Sequence, residues 1–272
     1  MVSFPNCKIN LGLRILRKRD DGYHDLETIF YPLPFYDALE VMRSPQQSFS
    51  FSTTGLSIDA SAGDNLCVKA YEVIRKDFPS VPPVQAHLHK SIPMGAGLGG
   101  GSADGAFMLR LLNHKFNLQI DEPTMIRYAL KLGSDCPFFI INKPCFATGR
   151  GEQLKQVELD LSSYQFVLVY PRIHVPTAKA FSTIKPAVPQ RSVEQLISQP
   201  IETWKDELVN DFEPGIFAQY PQIKAIKDEL YRSGAIYASM SGSGSTVYGI
   251  FSKETQVELS FPQEYFIKHL VG

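Results

Sequence analysis

Residues 93–103 read PMGAGLGGGSA, and the stretch after them, to Phe116, places its apolar residues at helical spacing. The residues before this loop, 84–89, alternate apolar and polar side chains, which predicts a strand with one buried face. The order is therefore strand, glycine-rich loop, helix. Because glycine loses the most conformational freedom on folding, such a run indicates backbone that must approach another group closely. The N–H groups of the loop and of the helix N-terminus would face an anion, and phosphate is the usual one.

Other interpretations of this loop stay open. Gly95, Gly97 and Gly100 satisfy G-x-G-x-x-G, and Asp121 follows at a suitable distance, so a dinucleotide-dependent oxidoreductase is an alternative. The first strand of that fold is buried on both faces and nearly all apolar, which does not fit the alternating strand predicted here. The sequence contains no Gly-Lys-Ser or Gly-Lys-Thr, which excludes the P-loop. A tight or flexible turn without any ligand is the remaining interpretation.

The rest of the chain mixes strands and helices without a regular βαβα alternation, which predicts an α+β fold. A cap at Asp64 or Asn65 opens one predicted helix, Asp121 caps another, and Gly133 ends the latter in a left-handed conformation. The strands are predicted over 8–16, 26–30, 38–42, 84–89, 166–170, 235–239 and 246–251, and the helices over 64–78, 103–116, 121–132, 193–198 and 222–233. The serine-rich residues 241–245 fit either a hairpin turn or a loop that packs beside the glycine-rich one.

Composition limits the class of protein. The 272 residues are 44% hydrophobic and 20% charged, which is typical of a folded globular chain and excludes a disordered or fibrous one. With 27 basic and 28 acidic residues the net charge is −1, so no nucleic-acid or membrane partner is expected. Four cysteines without a C-x-x-C pair, and the lack of a signal-peptide or membrane-spanning stretch, favour a cytoplasmic protein with reduced thiols. The length predicts two lobes, and the turn at 149–151 before the predicted strand at 166–170 divides them into residues 1–154 and 155–272.

Several polar residues are candidates for chemistry, although each also has an ordinary interpretation. Lys8 and Asn10 share one face of the first predicted strand, and Asp135 follows a predicted helix end. Tyr23 and His24 lie in a predicted turn, where a surface ring and a surface histidine are common. Spacing alone does not pair any of these residues.

Three segments together resemble the GHMP small-molecule kinases, a family named for galactokinase and the homoserine, mevalonate and phosphomevalonate kinases. They are PNCKINL at 5–11, DGYH at 21–24 and the glycine-rich loop, and the resemblance runs nearly end to end. It implies a two-lobed α+β fold. The N-terminal lobe would be ribosomal-protein-S5-like and hold ATP and the catalytic residues, and the C-terminal lobe would be ferredoxin-like.

The resemblance also implies a reaction: phosphoryl transfer from ATP to the tertiary 2-hydroxyl of the methylerythritol part of a cytidine-diphosphate substrate. Asp135 would accept the hydroxyl proton, and Lys8 would orient that carboxylate and keep it ionised. Ser102 would be a ligand or neighbour of Mg²⁺. The resemblance assigns the nucleotide contacts to Pro93, Met94, Gly95, Ala96, Gly97, Leu98, Gly99, Gly100, Gly101, Ser102, Ala103 and Asn65.

On the acceptor side, the resemblance implies that Tyr23 and His24 receive cytosine, that Phe181 is a second stacking wall, and that Asn10 holds the acceptor. Asp104, in the first turn of the helix, is a negative charge near the expected phosphates that the resemblance does not explain. A kinase of this family with a smaller alcohol substrate and a non-catalytic nucleotide-binding module remain alternatives. The DGYH segment argues against the smaller alcohol.

Overall fold

The structure is a computed structural model that describes residues 1–57, 65–182 and 184–271. The strands, in chain order, are β1 (Val2–Ser3), β2 (Asn6–Lys18), β3 (His24–Tyr36), β4 (Ala38–Arg43), β5 (Ser50–Gly55), β6 (Val84–Lys90), β7 (Cys145–Thr148), β8 (Gln153–Gln156), β9 (Tyr164–Tyr170), β10 (Tyr237–Met240), β11 (Val247–Ser252) and β12 (Phe266–Val271). The helices are α1 (Leu66–Asp77), α2 (Gly100–Phe116), α3 (Glu122–Leu132), α4 (Cys136–Ile141), α5 (Thr177–Ser182), α6 (Val193–Ile197), α7 (Trp204–Glu207), α8 (Glu213–Gln219) and α9 (Pro221–Arg232), with a 3-10 turn at Ile201–Thr203.

The chain forms two compact units, and neither is a continuous stretch of sequence. The first unit contains Met1–Cys7, Phe35–Met94 and Gly99–Lys143, and the second contains Lys8–Pro34, Gly95–Leu98 and Pro144–Gly272. Each unit mixes strands with helices, which confirms the α+β class. The division of the lobes at residues 154 and 155 stays a prediction, as does the ribosomal-protein-S5-like character of the N-terminal lobe.

The first unit is built on a sheet with the strand order β1-β4-β6-β5, in which only the β5–β6 pair is parallel. Helices α1 and α2 pack against each other, and α2 also contacts α3 and α4. In β6 the buried side chains Val84, Ala86 and Leu88 alternate with more exposed ones. This confirms the strand with one buried face and does not fit the doubly buried first strand of a dinucleotide-binding fold.

The second unit contains two sheets, with the orders β2-β3-β7-β8 and β10-β11-β9-β12. In the latter the pairs β10–β11, β11–β9 and β9–β12 are all antiparallel, and helices α5–α9 fall between β9 and β10. Residues 253–265 carry no helix. The order of elements is that of a ferredoxin-like unit without its second helix. No helix in the described residues is both long and apolar enough for a membrane span.

Strand β2 differs from its predicted half-buried form, because both of its faces are buried along most of its length. Leu13 and Ile15 join the core formed by α8, α9 and the second sheet. On the polar face, Lys8 and Asn10 are buried, and their side chains bond to each other. An alternating pattern shows that two faces differ in polarity, but it does not show that the polar face meets water.

The predicted helix ends are mostly correct. Asn65 caps α1, where its Oδ1 accepts from the Cys67 N–H at 2.9 Å, whereas Asp64 lies outside the described residues. Asp121 caps α3 through the Thr124 N–H at 3.0 Å. The left-handed conformation predicted for Gly133 is wrong, because its φ of 168° is extended. The extended residue carries the chain directly out of α3 toward α4, which begins three residues later.

Candidate active site

The glycine-rich loop needs glycine at several positions for conformational reasons. Gly95, Gly97 and Gly99 have φ values of 64°, 83° and 70°, in the left-handed region that side chains disfavour. A Cβ on Gly97 would lie 2.1 Å from the Ser241 carbonyl oxygen. Gly99 is the N-cap of α2 and supplies no side-chain hydrogen bond to it. The first turn of α2 therefore presents backbone N–H groups that a side chain does not cap, as an anion site requires.

The serine-rich loop joins the antiparallel strands β10 and β11 as a hairpin and also packs beside the glycine-rich loop, which confirms both interpretations of residues 241–245. The Ser241 hydroxyl donates to the Gly97 carbonyl at 2.8 Å and accepts from the Asn10 N–H at 3.2 Å. On the other side, the Lys8 N–H donates to the Leu98 carbonyl at 2.9 Å. Residues 95–98 are thus held between β2 and the serine-rich loop.

Asn210 holds the serine-rich loop in turn, and the sequence did not point to it. It is 1% exposed, and its amide Nδ2 donates to the carbonyls of Met240 at 2.7 Å and Gly242 at 2.8 Å. Its Oδ1 accepts from the Phe212 N–H at 2.9 Å. Met240 and Gly242 lie about 30 residues further along the chain than Asn210, so no local pattern could reveal these two bonds.

Lys8 and Asn10 are brought together, as their shared strand face predicts. The Lys8 ammonium donates to Asn10 Oδ1 at 2.7 Å and lies 4.7 Å from the centre of the Phe30 ring. The Asn10 amide donates to the Thr28 hydroxyl at 3.1 Å, and that hydroxyl donates to the Gly12 carbonyl at 2.5 Å. Because this chain of bonds fixes the amide, it also fixes the direction of the ammonium.

Asp135 belongs to the first unit, where it is the N-cap residue of the short helix α4. It has α-helical backbone angles, and its carboxylate makes no cap hydrogen bond. The next residue, Cys136, is fully buried, and burial raises the pKa of its thiol to about 12. The thiol therefore stays protonated at neutral pH and supplies no anionic base beside Asp135. The pairing of Asp135 with Lys8 stays a prediction.

Asp104 is not an exposed charge beside the phosphate loop, which corrects the picture from the sequence. It is 3% exposed, and its Oδ2 accepts from the Lys90 ammonium at 2.7 Å. Lys90 also donates to Asp37, whose other oxygen accepts from the N–H groups of Ser91 and Ile92. We refer to Asp37, Lys90 and Asp104 as the buried triad.

The buried triad lies directly under the start of α2, since a Cβ on Gly100 would be 2.9 Å from the Lys90 ammonium. Two carboxylates around one ammonium leave one surplus negative charge. Burial, together with the charge of Asp37, raises the pKa of Asp104 to about 7 despite the nearby ammonium. Burial alone would lower the pKa of Lys90, but the two carboxylates outweigh it and raise that pKa. Lys90 is therefore cationic at any physiological pH.

On the expected acceptor side, His24 and Phe181 stack at 4.7 Å between ring centres with an angle of 18°. This is direct contact, which leaves no room for a base between these two rings. Burial, and then the charge of Lys18, lowers the pKa of His24, so its ring is neutral at pH 7 and offers one donor and one acceptor. Tyr23 is 56% exposed, and its ring is within reach of a flat ligand.

Two predicted nucleotide-side residues have structural partners. Asn65 uses its carbonyl oxygen to cap α1. Ser102 is the third residue of α2, and its hydroxyl bonds to the Cys136 thiol. Within the described residues no group of three or more His, Cys, Asp or Glu side chains could hold a metal ion. A hydroxyl such as that of Ser102, together with phosphates and water, is a donor set that Mg²⁺ accepts.

Comparison with known proteins identifies the class. The model of the GHMP kinases N-terminal domain matches residues 65–143, and that of the GHMP kinases C-terminal domain matches residues 192–263. A mevalonate kinase structure covers 99% of this chain and 98% of its own with a TM-score of 0.74 at 12% identity, which shows the shared fold alone.

Nearer relatives narrow the class. A 4-diphosphocytidyl-2-C-methyl-D-erythritol kinase of Bacteroides fragilis is 53% identical over 259 residues, 94% of each chain, and one of Cytophaga hutchinsonii is 45% identical over 257 residues, again 94% of each. A crystal structure of a 4-(cytidine 5'-diphospho)-2C-methyl-D-erythritol kinase covers 92% of this chain and 90% of its own, with a TM-score of 0.79 and 30% identity. This chain belongs to the 4-diphosphocytidyl-2-C-methyl-D-erythritol kinase family of GHMP kinases.

Proposed function

We propose that this chain transfers the γ-phosphoryl group of ATP to the 2-hydroxyl of 4-(cytidine 5'-diphospho)-2-C-methyl-D-erythritol, a step of the non-mevalonate isoprenoid pathway. One observation of geometry carries the proposal. The Lys8 N–H donates to the Leu98 carbonyl at 2.9 Å, so the strand with the Lys8–Asn10 pair borders the glycine-rich loop. An oriented ammonium beside a phosphate-binding backbone is the arrangement that phosphoryl transfer needs.

In the proposed reaction, Asp135 accepts the proton of the acceptor hydroxyl as its oxygen attacks the γ-phosphorus. Lys8 orients that carboxylate through its opposite charge. Asn10, whose amide is held by Thr28 at 3.1 Å, positions the acceptor. No covalent intermediate with the protein is needed, so positioning is the main contribution of these three residues.

The glycine-rich loop stabilises the charge that spreads over the phosphoryl oxygens in a loose transition state. Its N–H groups are fixed in advance, because β2 and the serine-rich loop hold residues 95–98. Mg²⁺, which Ser102 would help to hold, supplies charge neutralisation to the phosphates when bound. We place the reaction in the cytoplasm, where the four buried cysteines stay free thiols.

A direct assay separates this function from its alternatives. The purified chain is incubated with ATP and Mg²⁺ in parallel reactions, each of which contains one acceptor: the cytidine diphosphate, homoserine or mevalonate. The release of ADP is measured in each reaction. We expect turnover with the first acceptor only. Turnover with a small alcohol and none with the cytidine diphosphate would contradict the substrate assignment. Binding of a nicotinamide dinucleotide in place of ATP would indicate the oxidoreductase.

Replacement of the proposed base tests the mechanism. Asp135→Asn should bind ATP as the native chain does and lower kcat by about 10²–10⁴-fold, because general base catalysis contributes on that order. Asp121→Asn is the matched control, since it also changes an N-cap aspartate to asparagine, at the start of α3. Near-native kcat in Asp135→Asn would show that another group takes the proton.

A further inference from the structure

Arg150 lies at the tip of the hairpin formed by β7 and β8, and this tip is fixed to β3. The Gly149 carbonyl accepts from the Leu26 N–H at 2.8 Å, two residues after His24. Gly149 has a φ of 67° and Gly151 one of 102°. The Arg150 N–H donates to the Glu152 carboxylate at 2.6 Å. The backbone that carries the Arg150 side chain is therefore well defined beside the Tyr23–His24 turn.

The Arg150 guanidinium lies over the ring of Tyr23, with 4.9 Å between its central carbon and the ring centre. This is within the distance at which a cation is attracted to an aromatic face. Tyr23 nevertheless stays 56% exposed. One face of the ring is thus covered by the guanidinium, while much of the ring remains accessible to a flat partner.

The charges around this turn distinguish Arg150 from its neighbours. Arg17 pairs with Asp25 at 2.5 Å, and Arg19 pairs with Asp21 at 2.9 Å and with Asp25 at 3.0 Å. The Arg150 guanidinium is 3.7 Å from the nearest carboxylate oxygen of Glu152, which is a looser ion pair. Its planar face is engaged with Tyr23 and its charge is less completely neutralised.

We propose that Arg150 is a positioning residue of the acceptor site. Its guanidinium packs on one face of the Tyr23 ring and orients the ring, so that the other face of the ring stacks on the cytosine of the substrate. This inference rests on the proposed function, because the cytosine belongs to the substrate of that function. A ring held before the substrate arrives loses less freedom on binding, which strengthens the complex. The planar guanidinium suits this role better than an ammonium, because it stacks on a ring as well as carrying charge.

Steady-state kinetics on the full chain test the proposal. Arg150→Met should raise the KM for the cytidine-diphosphate acceptor about 3–30-fold, the range that corresponds to a cation–π contact. Arg150→Lys should fall between Met and native. In both variants the KM for ATP and the saturated kcat should stay native, a split that general destabilisation would not produce. Arg110→Met is the control, because Arg110 lies 5.1 Å from the Phe107 ring centre in α2 and should change neither KM.

A double-mutant cycle shows whether Arg150 acts through Tyr23. In a Tyr23→Ala background, Arg150→Met should have no further effect on the acceptor KM. A full additional effect there would mean that the guanidinium contacts the substrate directly, which overturns the positioning role. An unchanged acceptor KM in Arg150→Met, with the native chain active, also overturns it. Absence of native turnover with this acceptor instead refutes the proposed function.

Discussion

Asp104→Asn changes how the stability of this protein depends on pH. The Asp104 carboxyl has an ordinary pKa near 3.8 in the unfolded chain, and burial in the triad raises it to about 7 in the folded one. Between these two values the folded protein holds a proton that the unfolded chain has released. Stability therefore falls as pH rises through this range, and the fall ends once the pH has passed through the folded-state pKa of about 7. Asparagine holds no such proton and lacks this dependence.

The size of the effect follows from linkage. One proton held only by the folded state changes the free energy of unfolding by about 1.4 kcal/mol per pH unit. From pH 5 to pH 7, Asp104→Asn should gain about 2.5 kcal/mol relative to the native chain. Above pH 7.5 the difference between the two proteins should level off, because Asp104 is then ionised in both states.

Urea unfolding followed by circular dichroism at pH 5, 6, 7 and 8 measures this difference. Histidine titration contributes equally to both proteins and cancels when they are subtracted. Asp121→Asn is the control, because its hydrogen bonds with Thr124 lower the pKa of that carboxyl and its difference from native should be flat over the same range. A flat difference for Asp104→Asn as well would show that Asp104 is ionised throughout and that the account of the triad is wrong.

Two further substitutions test the support of the glycine-rich loop. Gly97→Ala should raise the KM for ATP at least tenfold, because the new Cβ would lie 2.1 Å from the Ser241 carbonyl oxygen and residue 97 has a φ of 83°. A native KM would mean that the loop accommodates the Cβ by a small shift. Asn210→Ala should lower the free energy of unfolding by about 2–4 kcal/mol, because the carbonyls of Met240 and Gly242 lose their donor. Calorimetry should show a Tm about 5–15 °C lower, and a native Tm would contradict the role of this amide.

Strands, helices and helix caps that depend only on neighbouring residues could be predicted from the sequence. The strand β6, the loop and the helix α2 follow one another as expected, because side-chain period and glycine content act locally. The cap of α1 at Asn65 is also local, since a side chain bonds an N–H two residues away. Gly133 shows the limit of local reasoning: a glycine after a helix permits several conformations, and the position of the next helix decides between them.

The roles assigned to the candidate site residues stay predictions, and only some of the contacts among them could be predicted from the sequence. The bond from Lys8 to Asn10 follows from a shared strand face. The burial of that face does not, since it depends on partners from distant segments. Arg150 approaches Tyr23 from a hairpin more than 120 residues away, and no spacing rule connects them. Sequence patterns therefore predict contacts within one strand or one helix end, whereas the packing of remote segments determines the other contacts of each residue.

The burial of Asp104 also accounts for a carboxylate so close to the start of α2, where a phosphate is expected. Lys90, not Asp104, is the charged residue nearest to Gly100, with its ammonium 2.9 Å from the position of a Cβ there. Near neutral pH, Asp104 is about half protonated, so the triad as a whole carries between zero and one negative charge. Lys90 thus pairs with both buried carboxylates at the start of α2. The pairing of Lys90 with Asp37 and Asp104 balances charge within the buried triad. It needs no excess of basic residues elsewhere, which agrees with a net charge of −1 for the whole chain.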